Sequence, residues 1–141
     1  MKIKIQKLHK DAKIPTYATP GDAGMDLYAV KKYKIKPGQI GLIDTGVAFE
    51  LPLGTVGLVW DKGSVAMKNG LKSLGGVFDE GYRGEVTVGL VNLSRKTYNI
   101  DKGDKIAQLL IQKVEHVDIK EVKKLSSSVR GSGRFGSSGK R

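Results

Sequence analysis

The chain has 141 residues, 39% of them hydrophobic, with no cysteine and 25 Lys+Arg against 14 Asp+Glu for a formal net charge of +11. One compact domain is expected, because a chain of this size hides roughly 68 to 70% of its unfolded surface and sustains a core without covalent staples. The missing cysteines exclude thiol catalysis, Cys-type zinc sites and a disulfide scaffold.

The opening residues MKIKIQKLHK alternate Lys with Ile, and no run of about 18 apolar residues follows anywhere. Neither a leader nor a membrane span is expected, and the expected setting is cytoplasmic. Short apolar stretches then recur between Gly, Pro and Asp turn signals, the pattern of an all-β sandwich or barrel of about ten strands. Ile3 and Ile5 open the first strand, and residues 25–30 and 33–35 follow. Lys36-Pro37-Gly38-Gln39 reads as a turn, residues 40–50 as a long extended piece, and Leu51-Pro52-Leu53-Gly54 as a second turn. Residues 55–60 form another strand. Residues 64–69, bracketed by Gly63 and Gly70, are the only candidate helix, at little more than one turn.

Val86, Val88 and Leu90 line one face of a later strand. Asp101-Lys102-Gly103-Asp104 turns the chain into residues 105–112, an apolar run that reads as a strand buried on both faces. Residues 114–122 alternate again and are expected to be extended. From Ser126 the sequence SSSVRGSGRFGSSGKR holds too few apolar groups to join a core. Residues 1–125 are therefore expected to form a β-barrel domain and residues 126–141 a flexible Gly/Ser-rich C-terminal arm. Residues 120–141 carry seven Lys/Arg against one Glu, which makes this end a basic arm on a milder body.

Five constellations have the composition of a chemical site. The arm Arg130-Gly131-Ser132-Gly133-Arg134-Phe135-Gly136-Ser137-Ser138-Gly139 combines converging backbone amides, hydroxyl donors and guanidinium forks, which are the parts of a phosphate clamp, with an aromatic ring able to stack on a base. A flexible basic linker or RNA-binding tail would have the same composition. Gly75 to Glu85 reads as two extended arms joined around Asp79-Glu80-Gly81, a hairpin whose backbone can face a base edge. Asp79, beside Val77 and Phe78, is either a partly desolvated general base or an ordinary turn acid. Trp60-Asp61-Lys62-Gly63-Ser64-Val65-Ala66 runs a strand into the short helix, where free amides and Lys62 favour phosphate. Gln108, polar inside an apolar run, needs a specific partner. Asp26, in Ala23-Gly24-Met25-Asp26-Leu27, is placed to cap a turn or stand in the outer shell of a metal ion.

The order and spacing of these five elements resemble the trimeric dUTPases. Ala23 to Leu27 resembles AGxDL, Lys62 to Ala66 a basic-Ser-Gly-x-Ala element, and Gly76 to Glu85 GVIDxxYRGE. Gly103 to Gln108 resembles GxRIAQ, and Arg130 to Gly139 resembles RGxGGFGSTG. The resemblance implies a jelly-roll-like β-barrel, a homotrimer whose active sites draw on all three chains, and hydrolysis of dUTP to dUMP and pyrophosphate. This would limit uracil incorporation into DNA and supply dUMP for dTTP synthesis.

By the same resemblance Asp79 activates the attacking water. Mg2+ is held mainly by the triphosphate and water, with no direct protein ligand and Asp26 near its outer shell. Lys62, Ser64, Gln108, Arg130 and Ser137 or Ser138 clamp the phosphate chain, with Gly63 and Gly136 also among the substrate-binding positions. The backbone around Gly76 reads uracil, Tyr82 excludes a ribose hydroxyl, and Phe135 stacks on the base. The chain departs from the pattern at Gly63 (usually Ser), Lys105 (usually Arg), Arg134 (usually Gly), Phe78 (usually Ile) and Ser73, where some relatives carry Asn. Two other readings compete. One is a dCTP deaminase of the same fold, which needs a pocket Glu and a longer C-terminal segment. The other is a non-catalytic basic β-protein that binds single-stranded nucleic acid through Phe135, Tyr82 and surface Lys. On the dUTPase reading nucleic acid is not required as a partner.

Overall fold

The computed structural model describes residues 1–134. Among them the chain forms, in order, β1 (Lys4–Lys7), β2 (Met25–Tyr28), β3 (Tyr33–Ile35), β4 (Ile40–Glu50), β5 (Thr55–Asp61), α1 (Gly63–Asn69), β6 (Leu71–Leu74), β7 (Val77–Phe78), β8 (Glu85–Asn92), β9 (Tyr98–Ile100) and β10 (Lys105–Lys113). Two four-stranded sheets, ordered β1-β4-β8-β6 and β2-β10-β5-β7, are joined by a small β3-β9 sheet. All the strand pairings are antiparallel. This is the expected all-β, jelly-roll-like architecture with one short helix. No helix among the described residues is long and apolar enough to cross a membrane.

Side-chain alternation assigns the two faces. Val86, Val88 and Leu90 on β8 turn inward and are essentially fully buried, as are Ile43 and Val47 on β4. Leu27 on β2, Val59 on β5 and Ile106 and Leu109 on β10 meet them from the second sheet, with Ile35 and Ile100 closing one end. Burying each such side chain contributes about 1.5 to 3 kcal/mol. β10 lies between β2 and β5 and buries Ile106, Ala107 and Leu109, while Leu110 and Ile111 are half-buried. Fully buried Asn92 on β8 donates to the carbonyls of Ile35 (2.9 Å) and Lys96 (2.8 Å) and accepts from the amide and hydroxyl of Ser94, so its polar capacity is used where water cannot reach.

Two expectations fail. Residues 114–122 form no strand: their side chains are exposed and, beyond one backbone bond from the Val114 amide to the Gly54 carbonyl, the alternating pattern finds no sheet edge in its own chain. Gly75 to Glu85 is not a hairpin. β7 pairs with β5 in one sheet, whereas β8 pairs with β4 and β6 in the other, so residues 79–84 cross between sheets. The cause lies at Gly76, whose carbonyl accepts from the Val59 amide at 2.7 Å. A Cβ there would stand 2.3 Å from the Val59 carbonyl oxygen, so only glycine lets this arm lie flush on β5.

Candidate active site

The β2-β10-β5 register brings three of the five elements together. Gln108 on β10 stands opposite Asp26 on β2 and opposite Trp60 on β5. Its side-chain amide donates to the Asp61 carbonyl at 2.8 Å, which is the specific partner its place in an apolar run required. Gly24 leaves room for it, since a Cβ at that position would stand 2.7 Å from Gln108 Oε1.

Asp26 is 3% exposed and lies between two ammonium groups: Lys62 Nζ is 2.6 Å from Oδ1 and Lys105 Nζ is 2.6 Å from Oδ2. The first contact is a hydrogen bond; the second lacks hydrogen-bonding geometry, so buried Oδ2 accepts no hydrogen bond. Burial is the largest influence on this carboxyl and pushes its pKa up, but Lys105 and Lys62 together outweigh it and hold Asp26 below the usual carboxylate range. Asp26 in turn raises Lys105. Lys105 thus enters as the second cation on Asp26, a role sequence reading did not give it. The signal was present in its position three residues before Gln108 on the strand that pairs with β2.

Lys62 is the N-cap residue of α1, whose first turn carries no acidic residue. Gly63 and Ser64 are exposed, and open space surrounds the Gly63 Cα where a side chain would project. Asp61 is the other group that the sequence did not single out. Its Oδ1 accepts from the Ser73 amide (2.7 Å) and hydroxyl (2.6 Å), and Oδ2 pairs with Lys72 at 2.7 Å. Ser73 is therefore engaged in tying β6 to the end of β5. Burial raises Asp61, and Lys72 with Ser73 more than reverses this.

Asp79 follows β7 and is exposed in the single chain. The desolvation expected from its apolar neighbours is absent, because β7 is a two-residue edge strand and Val77 itself is 67% exposed. Asp79 and Tyr82 share an open groove of about 310 Å³ with Gly75, Phe78 and Thr87. The Tyr82 amide donates to the Asp79 carbonyl at 3.0 Å, and the Tyr82 ring tilts against Phe78 at 5.7 Å and donates from its hydroxyl to the Glu85 carbonyl. Glu80 and Glu85 are committed to the frame: Glu80 accepts from the Gly54 amide, and Glu85 accepts from the Gly46 amide at 2.7 Å, where β4 bulges. Glu85 also lines the Asp79 groove, with one carboxylate oxygen engaged in bracing β4.

The two halves of the site are far apart within one chain. Phe78 pairs with Gly57, so Asp79 is level with Val56, whereas Lys62 lies six residues further on, just past the end of β5. At about 3.3 Å per strand residue the separation is about 20 Å. Arg130 is exposed and donates to the Gly133 carbonyl within its own arm at 3.0 Å. Phe135, Gly136, Ser137 and Ser138 lie outside the described residues.

Among the described residues no group of three or more His, Asp or Glu side chains could cage a metal ion. Asp26, buried and paired with Lys62 and Lys105, is the acidic group of this cluster whose chemistry would suit contact with a metal-bound water.

A family model described as dUTPase matches residues 10–139. The deoxyuridine 5'-triphosphate nucleotidohydrolase of Clostridium tetani is 46% identical over 140 residues, covering 98% of this chain and 97% of the relative. The dUTPase of Staphylococcus bacteriophage 80alpha, solved as a mutant with dUpNHpp, superposes with a TM-score of 0.91 at 28% identity, covering 98% of both chains. The dUTPase of phage phi11 of S. aureus, solved as a mutant to describe coordination of a structural Mg(II) ion, matches with a TM-score of 0.82 at 25% identity, covering 88% of this chain and 98% of that one. With a family model matched over residues 10–139 and similarity along nearly the whole length of its relatives, this chain belongs to the dUTPase family.

Proposed function

We propose that the chain hydrolyses dUTP to dUMP and pyrophosphate in a site built between copies of itself, Asp79 of one copy facing Lys62, Ser64 and Gln108 of another. The observation that carries this reading is the separation of about 20 Å along β5, six residues at strand rise. The α- and γ-phosphorus atoms of a triphosphate are only a few ångströms apart, so one chain cannot bring its own Asp79 to the α-phosphorus while its own Lys62 holds the phosphate chain. A threefold homotrimer closes such a head-to-tail arrangement. It would also shield Asp79 from the solvent that reaches it in the lone chain.

In this reading the Asp79 carboxylate accepts a proton from water, and the resulting hydroxide attacks the α-phosphorus in line with departing pyrophosphate. Tyr82, in the same groove, takes the space of a ribose 2′-hydroxyl, and the Gly75–Gly76 backbone lies beside the base. Lys62 leaves one oxygen of Asp26 for the phosphate chain, while Lys105 remains to neutralise that buried carboxylate. Mg2+, when bound, would supply further charge neutralisation on the phosphate oxygens, with Asp26 the residue that would face its outer shell. The arm of residues 126–141, with Arg130, Phe135, Gly136, Ser137 and Ser138, closes over the nucleotide from a further copy, an ordering step that confers specificity.

The direct test is pyrophosphate release from dUTP beside dCTP, dTTP and UTP. The reading expects release from dUTP alone at an appreciable rate, with no ammonia from dCTP. Equal release from UTP would remove the role of Tyr82, and ammonia from dCTP would favour the deaminase.

A further inference from the structure

A second surface has the chemistry of an anion site and shares no residue with the site described above. It is an open groove of about 480 Å³ between the C-terminal end of α1 and the loop joining β8 to β9, lined among others by Lys68, Gly70, Ser94, Arg95, Lys96 and Tyr98. None of its lining residues is acidic. Lys68, Arg95 and Lys96 are exposed and take no part in any ion pair among the described residues. By contrast, Lys31, Lys32 and Lys72 are matched by Asp44, Asp101 and Asp61 respectively.

The groove is held in place by the core. The Leu93 amide donates to the Gly70 carbonyl at 2.9 Å, which fixes the loop to the helix end. Buried Asn92 grips the Lys96 carbonyl and the Ser94 amide and hydroxyl, so the backbone carrying Arg95 and Lys96 is braced from beneath. The same Asn92 amide also holds the Ile35 carbonyl, which ties the loop to the end of β3. Half-buried Tyr98 also lines the groove. Burial first, then Asp104, raises its phenol, so it stays a hydroxyl donor through the neutral range. Like charges gathered on one surface repel one another, and a bound anion offsets that repulsion.

We propose that this groove binds the phosphodiester backbone of a nucleic acid strand, away from the catalytic site. The groove is open and its cations are spread over two elements instead of converging on one point, which suits successive phosphates along a chain better than a single enclosed phosphate group. The site confers no sequence preference, because its donors are ammonium, guanidinium and hydroxyl groups without a base-reading edge. It differs from binding through Tyr82 and Phe135, since it leaves both free to serve the nucleotide.

The experiment uses the full chain with its active site occupied by saturating dUMP, and follows a fluorescein-labelled thymidine 20-mer by anisotropy between 50 and 200 mM salt. Wild type is compared with Lys68→Gln/Arg95→Gln/Lys96→Gln and with a charge-matched control, Lys2→Gln/Lys7→Gln/Lys10→Gln, on another part of the surface. The groove variant is expected to bind about tenfold more weakly or worse at low salt, with a log–log salt slope shallower by about two, since each phosphate left without its cation removes roughly 0.7 from the slope. The control should stay within about threefold of wild type on the same salt-dependence argument, and both variants should hydrolyse dUTP at the parent rate. Equal weakening in the two variants would overturn the proposal in favour of diffuse charge, and so would no binding by wild type at 50 mM salt. A third arm titrates inorganic tripolyphosphate. Displacement of the oligonucleotide only at large molar excess supports the backbone as ligand, whereas displacement at stoichiometric tripolyphosphate would make free oligophosphate the ligand and overturn the assignment. Turnover is read separately from binding, so loss of the groove and failure of the catalytic reading give different results.

Discussion

Lys62 Nζ donates to Asp26 Oδ1 at 2.6 Å, and the carboxylate that receives it is buried and shared with Lys105. The pair links the strand-to-helix turn to β2 through side chains of opposite charge. Asp26→Asn would leave two ammonium groups facing each other with no counter-charge. Removing one partner of a buried pair costs 3 to 5 kcal/mol in general; because both lysines are partly exposed, a loss of about 2 kcal/mol is expected here. The urea midpoint measures it, with an unchanged m-value. A midpoint equal to the parent's would mean that the carboxylate is dispensable to the fold.

The same carboxylate gives the stability curve its acid limb. Asp26, Asp44 and Asp61 are all held below their ordinary values, each because neighbouring cations and hydrogen-bond donors outweigh burial. A carboxyl whose folded pKa is depressed binds fewer protons folded than unfolded, so stability rises with pH across that interval. Its contribution is complete above the unfolded value of about 3.9 and is lost as pH falls through the lower folded value. The melting temperature should therefore be flat from neutral to about pH 5 and fall steeply below about pH 4. Asp26→Asn should have the shallower acid limb. Parallel curves for variant and parent would remove Asp26 from the account.

Gly76→Ala tests the contact that fixes the catalytic arm. The added methyl meets the Val59 carbonyl oxygen, a backbone atom that cannot swing aside. The β5–β7 pairing must open, at a cost of about 1 to 3 kcal/mol by analogy with overpacking. Since Asp79 follows directly on that pairing, dUTP turnover should fall at least tenfold more than stability alone explains. A folded variant with parent kcat would show that the arm is not positioned by this contact.

Much of the frame was legible in the sequence because it rests on local rules. Val86, Val88 and Leu90 alternate inward as read, whereas β10 buries Ile106, Ala107 and Leu109 but leaves Gln108, Leu110 and Ile111 half-buried and Gln112 exposed, so the burial on both faces that its apolar run implied is not met in the single chain. The short helix ends at Gly70 in a left-handed conformation. What was not legible depends on pairing across the molecule. Nothing local in Gly75 to Glu85 says that its two arms join different sheets; that follows from the clearance at Gly76, visible only once Val59 is beside it. Likewise residues 114–122 carry a strand-like alternation that the single chain does not pair. The assembly at Asp26 was not legible: Asp26 and Lys62 were each singled out but for other roles, and both lysines became its partners only through pairing across the molecule, Lys105 through the register of β10 on β2.

Truncation after Leu125 removes no ladder hydrogen bond, since the last strand ends at Lys113. The shortened protein should melt within about 2 °C of the parent, as expected for a segment that contributes no core. If the arm closes over substrate, the truncated protein should hydrolyse dUTP at least tenfold more slowly. Parent-like turnover would reduce the arm to a linker.

The claim that one copy's Asp79 works beside another copy's Lys62 is tested most directly by mixing two defective variants. Asp79→Asn should lose at least a hundredfold in turnover, the range of a general base, while still binding nucleotide. Lys62→Ala should be crippled through the phosphate chain. Unfolded and refolded together in equal amounts, the two chains assort at random. If each site takes Asp79 and Lys62 from different copies, about one quarter of the sites regain both intact groups, and pyrophosphate release from dUTP should rise toward a quarter of the parent rate. A mixture no more active than the average of the two variants would place both groups in the same chain and contradict the shared site.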